Sequence, residues 1–114
     1  MKINQIAALL QADILTCKDH IDSEVHSACG SDMMSDVLAY VKDQAVLLTG
    51  LVNSQVIRTA DMMDMRCVVF VRNKKPTEDM LSLASESNIV VLTTSLRMYE
   101  ACGILYTNGL TTHS

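Results

Sequence analysis

The residues with the best claim to chemistry in this 114-residue chain follow its three most apolar runs. Thr49, Gly50, Asn53 and Ser54 come after Ala45–Leu48. Arg72, Asn73, Lys74 and Lys75 come after Cys67–Val71. Thr93, Thr94 and Ser95 come after Ile89–Leu92. Small hydroxyls, cations and the free N–H groups of a helix start are the groups that hold a phosphate or a carboxylate. A glycine such as Gly50 lets a backbone approach a ligand closely. If the apolar runs are neighbouring parallel strands, these residues share the rim outside the carboxyl ends, where such sheets bind ligands. The competing reading makes the hydroxyls helix caps and the lysines solubilising charge. The site expected from the residues is therefore Thr49, Gly50, Asn53, Ser54, Arg72, Lys74, Lys75, Thr94 and Ser95, with a small anion as its ligand.

Other constellations are weaker. The chain has no GxxxxGK[ST], GxGxxG, HExxH or G-x-S-x-G pattern, so the common nucleotide-wrapping, zinc-protease and serine-hydrolase devices are missing. Asp32 and Asp36 are spaced i, i+4 and would share a helix face, as an acid–base pair or a cation site does. The plainer account is an N-cap and a first-turn acid favoured by the helix dipole. His20, His26 and His113 are scattered without matched ligands, and Cys102, beside Glu100 and Tyr99, has no visible partner base. An enzyme would need Asp32, Asp36 and Cys102 to converge, and nothing in their spacing requires it. No catalytic residue, metal site or cofactor is expected.

The elements that would position the rim can be read from periodicity. Ile3, Ile6, Ala7 and Leu10 form the apolar stripe of a first helix. Two short strands follow, near 13–17 and 24–29, as an antiparallel edge or a separate layer. Ser31 or Asp32 caps a helix with the stripe Met34, Val37, Leu38, Val41, and Lys42–Gln44 ends it. Ala45–Thr49, Cys67–Val71 and Ile89–Thr93 read as strands, and continuous apolar runs of this kind suit strands covered on both faces. Between them lie a helix capped by Asn53 or Ser54, with Val56, Ile57, Ala60 and Met63 inward, and a helix begun by Pro76, lined by Met80, Leu81 and Ala84. Thr93–Ser95 offer caps to a last helix with Leu96, Tyr99, Cys102, Gly103 and Tyr106 on one side, stopped at Asn108-Gly109. The tail 111–114 reads as frayed. The alternation implies right-handed crossovers and an α/β fold: a small, three-layer-like domain with a mostly parallel sheet, crossover helices, an N-terminal helix and two short strands. One domain spans 1–114, with 1–30 a lead-in of helix and short strands, 31–110 the αβαβαβα core and 111–114 the tail.

Composition narrows the partners. Apolar residues make up 49% of the chain, and Phe70 with three tyrosines are its only aromatics, so the core is aliphatic and methionine-rich. Eight methionines suit gap filling, and Met33, Met34, Met62, Met63 and Met65 could also form a docking face. The net charge of −4, without a basic face or stacking aromatics, sets nucleic acid aside. Cys17, Cys29, Cys67 and Cys102 lack metal-clip or redox-motif spacing. The N-terminus lacks a cleavage pattern, and no run is long enough to span a bilayer. A cytoplasmic protein without membrane attachment is expected.

The run SDMMSDVLAYV followed by LLTGLVNSQVIRTADMMDMRCVVFVRNKKPTEDMLSLASESNIVVLTTSLRMYEACGILYTNGL resembles the DRTGG domain. The resemblance rests on the spacing of the three strands, the Ser-Asp helix start, the Lys75-Pro76 pair after the second strand and the E-x-x-G-x-L-Y-x-x-G-L ending. The letters that name the family are absent, so no role is transferred from them. The domain is related to the N-terminal domain of HPr kinase/phosphorylase. The resemblance implies a compact α/β fold that tends to pair. Such domains occur beside CBS modules in some pyrophosphatases, where they are linked with adenine-nucleotide regulation, ahead of phosphotransacetylase domains, and as short free-standing proteins. The kinase's phosphate loop lies in a domain with no counterpart here, so kinase activity is not implied. Free-standing members are similar to proteins encoded near redox enzymes such as hydrogenases. The resemblance thus implies a non-catalytic, homodimeric regulatory or sensor domain, its anion possibly an adenine nucleotide; the alternative is a protein-interaction adaptor for a metabolic or redox enzyme, with no small ligand.

Overall fold

The computed structural model describes residues 1–40 and 44–111. Its elements are α1 (Ile3–Leu10), β1 (Asp13–Ile14), a 3-10 turn (Lys18–His20), β2 (Ser27–Gly30), α2 (Met34–Tyr40), β3 (Ala45–Thr49), α3 (Ser54–Met62), β4 (Cys67–Phe70), α4 (Glu78–Glu86), β5 (Val90–Thr93) and α5 (Met98–Thr107). The five strands form one sheet in the order β1-β5-β4-β3-β2. The α/β class with a mostly parallel sheet is as read from the sequence.

Side-chain alternation explains why the central runs are wholly apolar. Val46, Leu48, Cys67, Val69, Val90 and Leu92 face α1 and α5. Leu47, Val68, Phe70 and Val91 face α2, α3 and α4. With both faces covered, every position of β3, β4 and β5 is buried, and a strand so placed has no room for a polar alternation. The registers Leu47↔Val68 and Val68↔Val91 align one face of the sheet row by row. The connections β2-α2-β3, β3-α3-β4 and β4-α4-β5 all step the same way across the sheet, so right-handed crossovers place all three helices on one face. After β5 the chain crosses to the other face, where α5 packs beside α1.

The N-terminal segment departs from its expectation in part. β1 is antiparallel to β5, an edge as anticipated. β2, however, pairs parallel with β3, register Ala28↔Val46. It is therefore a fourth parallel strand, neither an antiparallel edge nor a separate layer, and α2 is its crossover helix. The sequence SACG hides this. An edge strand pairs on one side only, and its residues do not have to be bulky.

Several helix starts also shift. Asn53 caps α3, its Oδ1 accepting the Val56 N–H at 3.3 Å, as read. α4 is capped by Thr77, whose Oγ1 accepts the Met80 N–H at 3.3 Å, and Pro76 lies just outside it. α5 begins only at Met98, and its N-cap residue, Arg97, makes no side-chain cap. Thr93, Thr94 and Ser95 therefore cap nothing. The inner side of α5 is Ala101 and Leu105, while Tyr99 and Tyr106 are exposed. Of the side read from the sequence, Gly103 is exposed as well, and Leu96 and Cys102 are partly buried against the core. Val41, Lys42 and Asp43, on which the expected helix stop partly falls, and His113 with the tail 112–114, lie outside the described residues.

Candidate functional site

Parallel pairing of β2 through β5 brings their carboxyl ends to one rim. In sheet order the rim runs from Thr94-Ser95 past Arg72–Lys75 and Thr49-Gly50 to Asp32, which follows β2. The three expected strand ends are thus neighbours, with a fourth added that the sequence did not reveal. Asp32 was legible as a helix cap, yet it does not cap α2. Ser31 forms the turn instead, its Oγ accepting the Met33 N–H at 3.0 Å.

Asp32 reaches across to β3. Its Oδ1 accepts the Gly50 N–H at 2.7 Å and the Thr49 hydroxyl at 3.0 Å. Its Oδ2 stands 3.8 Å from an Arg72 guanidinium nitrogen. Thr49 Oγ1 in turn accepts the Leu51 N–H at 3.1 Å. A backbone N–H, a hydroxyl and a guanidinium thus converge on one carboxylate, the set that also recognises a phosphate oxygen. Both charged side chains are about half exposed, at 51% and 48%, so the ion pair adds little stability, on the order of 0–1 kcal/mol. Its importance is positional. A Cβ at position 50 would overlap the Arg72 guanidinium, standing 2.8 Å from its Cζ, so the guanidinium lies close against Gly50.

The loop after β4 is held in an unusual shape. Arg72 and Asn73 both have φ of 59°, the left-handed region that costs a side-chain-bearing residue roughly 1–2 kcal/mol. Tertiary bonds hold the shape. The Arg72 N–H donates to the Leu96 carbonyl at 2.7 Å, and the Asn73 N–H to the Thr94 carbonyl at 2.8 Å. The Thr93 hydroxyl donates to the Lys74 carbonyl at 2.8 Å. These bonds stitch the loops after β4 and β5 together where one turns to α4 and the other to α5 on the opposite face. Open sheets offer a crevice at such a divergence; here backbone bonds bridge it.

The expected site residues separate accordingly. Thr49, Gly50 and Arg72 form the cluster around Asp32. Asn53 caps α3, and Ser54 opens that helix half-buried. Lys74, Lys75 and Ser95 are exposed, and no side-chain partner is present for them among the described residues. Thr94 does not belong to the open rim. It is buried, its hydroxyl donates to the Leu10 carbonyl at 2.7 Å and accepts the Leu96 N–H at 3.2 Å. It ties the end of α1 to the sheet. The N-terminus of α3, capped by Asn53, lies beside the rim, whereas α5 starts only at Met98, past Thr94.

The acid–base and nucleophile candidates do not come together. Asp36 lies on α2 and Cys102 on α5, on opposite faces of the sheet, and Asp32 is turned to the rim. Burial pushes the Cys102 thiol above its ordinary value, so its reactive thiolate is suppressed. Among the described residues no group of three His, Cys, Asp or Glu side chains is placed to hold a metal, and no helix is long and apolar enough to cross a membrane.

Among solved structures, the chain is similar to the CBS and DRTGG domains of the regulatory region of Clostridium perfringens pyrophosphatase, a crystal structure complexed with the activator diadenosine tetraphosphate. The TM-score is 0.74 at 13% identity, over 91% of this chain and 45% of that one. At that identity the likeness concerns the fold, and the chain spans less than half the length of its neighbour. No curated protein matches the sequence. The family model of the DRTGG domain matches residues 5–108, a span holding every element from the body of α1 to the end of α5, and on that match the chain belongs to the DRTGG domain family.

Proposed function

We propose that this chain is a non-catalytic regulatory domain that senses a small anionic metabolite, of adenine-nucleotide type, at the strand rim. The observation that carries the reading is the convergence of Gly50 N–H, Thr49 hydroxyl and Arg72 guanidinium on the Asp32 carboxylate. The rim already accommodates an internal anion. An incoming phosphate would take over these donors as Asp32 swings out, with Lys74 and Lys75 adding charge beside it. The nucleotide activator in the pyrophosphatase regulatory region supports the choice of ligand class. The whole stretch 1–114 acts as one domain in this reading, as a homodimer, in the reducing cytoplasm, consistent with its four free cysteines.

A thermal-shift series with inorganic phosphate, AMP, ATP and diadenosine tetraphosphate tests it. A ligand at about 100 times its Kd adds ~2.7 kcal/mol of stability. The combined Lys74→Ala and Lys75→Ala variant folds normally, because both residues are exposed, and its response is weaker. No shift with any of these anions at millimolar level removes the reading. A shift that survives both substitutions moves the site elsewhere.

The adaptor reading retains one observation. Met33 is 60% and Met62 73% exposed, more than a folded core explains. Met34 and Met65 are buried and belong to the core. Purification with a stoichiometric enzyme, together with a flat thermal-shift series, favours this second reading.

A further inference from the structure

Both charges of the rim pair are tethered to the start of α5, on the far face of the sheet. The first tether is a backbone bond. Arg72 presents its guanidinium to Asp32, while its own N–H donates to the Leu96 carbonyl at 2.7 Å. Leu96 immediately precedes Arg97, the N-cap residue of α5. The second tether is packing. A Cβ at Gly30 would stand 2.7 Å from Cys102 Sγ and 3.2 Å from Met98 Sδ. The end of β2 therefore lies directly against the first turns of α5, and Asp32 follows Gly30 by two residues.

This end of α5 is lightly held otherwise. Arg97 makes no side-chain cap, and Ala101 is the first residue of the helix to be buried. The Leu96 N–H is held by Thr94 Oγ1 at 3.2 Å, and Thr94 is fixed to the Leu10 carbonyl at 2.7 Å. Thr94 thus supplies a pivot about which the segment ahead of α5 can turn without leaving α1. Beside Cys102 lies a recess of about 110 Å³, lined in part by Ala28, Gly30, Tyr106 and Leu110, into which its side chain can shift. Arg72 itself has φ of 59°, a region unfavourable to a side-chain-bearing residue. A change of its backbone relieves that strain as it gives up the Leu96 bond. A strained position held in place by its surroundings is suited to switching between two arrangements.

We propose that α5 is the output of the rim: the contacts of Asp32 with Gly50, Thr49 and Arg72 hold the start of this helix in place, and opening them releases it. The proposal rests on the anion reading above only for what opens the rim; the coupling itself belongs to the chain without ligand. Cys102 is a native reporter, half-buried against Gly30, while the fully buried Cys67 reports global opening. Cys17 lies toward the other end of the sheet, next to Thr16, which bonds to Ile89. Iodoacetamide labelling of the full chain, resolved by peptide mass spectrometry, follows all three thiols. Asp32→Ala deletes the rim contacts, and Cys102 labelling is expected to rise several-fold with Cys17 and Cys67 unchanged. Asp32→Asn, which keeps both accepted hydrogen bonds, is expected to label at the parent rate. ATP at millimolar level is expected to speed Cys102 labelling in the parent chain. An Asp32→Ala chain whose Cys102 keeps the parent rate overturns the proposal. So does a rise that Cys67 shares, because it marks general loosening of the fold. A melting temperature raised by ATP with Cys102 labelling unchanged overturns it as well. If ATP alters neither, while Asp32→Ala still exposes Cys102, the coupling stands and the anion reading falls.

Discussion

Asp32 and Gly50 lie on neighbouring strand ends, and the carboxylate of the first accepts the N–H of the second at 2.7 Å. This short bond occupies the backbone donor that an external anion would need. Asp32 is also the one negative group in the cluster formed with Thr49 and Arg72. Its charge satisfies Arg72 in the ligand-free state and opposes any phosphate that arrives.

Asp32→Asn separates those two effects. The amide oxygen can keep both accepted hydrogen bonds, so the fold changes in stability by less than about 1 kcal/mol, the value of an exposed ion pair. The repulsion disappears and Arg72 is freed. Affinity for phosphate or nucleotide, measured by titration calorimetry, is expected to rise several-fold, on the scale where ~1.4 kcal/mol is tenfold. The gain is expected to shrink at high salt, because exposed charges are screened. Unchanged or weaker binding would mean that the ligand does not use the donors now held by Asp32.

Thr94 separates a structural hydroxyl from a ligand-binding one. It lies at the rim in sequence but inside the protein in structure, 2% exposed and bonded to Leu10 and Leu96. Thr94→Val keeps the shape and deletes both bonds, leaving a helix-end carbonyl without its partner. The expected loss is roughly 1–3 kcal/mol, seen as a lowered urea midpoint, with the nucleotide response per mole of folded protein unchanged. Thr94→Ser is expected to recover most of the stability. The opposite pattern, normal stability with lost response, would restore Thr94 to the site.

The same residues show what the sequence could and could not convey. β3, β4 and β5 were legible because burial on both faces leaves continuous apolar runs that few other settings produce. β2 was not legible as a parallel strand, since an edge strand such as Ser27–Gly30 carries no such run, and so the rim role of Asp32 was concealed behind an ordinary cap pattern. Thr49, Gly50 and Arg72 were found because a strand end is a position in the chain. Their convergence on a carboxylate depends on sheet order, which local patterns do not encode. The inner side of α5 was not legible for a different reason. Two stripes, one through Ala101 and Leu105 and one through Tyr99 and Tyr106, both have helical spacing, and periodicity alone cannot rank them. Thr94 was misplaced because a hydroxyl after a strand can serve a following helix or a preceding one, and here it serves α1.

Cys67 provides a pH signature of the core. It is fully buried among the residues that face α1 and α5, and burial pushes its thiol far above the ordinary 9.0. Burial also raises Cys17, Cys29 and Cys102. In the unfolded chain these thiols ionise as pH passes 9.0, while in the fold each ionises only at a higher pH. The unfolded state therefore binds fewer protons above that value. Stability contributed by this difference is complete below pH 9.0 and is lost as pH rises from there toward the folded values. Cys67, fully buried, contributes a downward slope of up to about 1.4 kcal/mol per pH unit, and the partly exposed thiols contribute less. Urea unfolding is expected to be insensitive to these thiols near neutrality and to weaken steadily in the alkaline range. Cys67→Ala loses roughly 1 kcal/mol at neutral pH through the atoms removed from the core, but its alkaline decline is shallower, because the most deeply buried of the four thiols is gone. If the variant and the parent chain fall in parallel above pH 9.0, Cys67 is not held protonated by the core, and the tight packing of β4 against α1 and α5 is not maintained in solution.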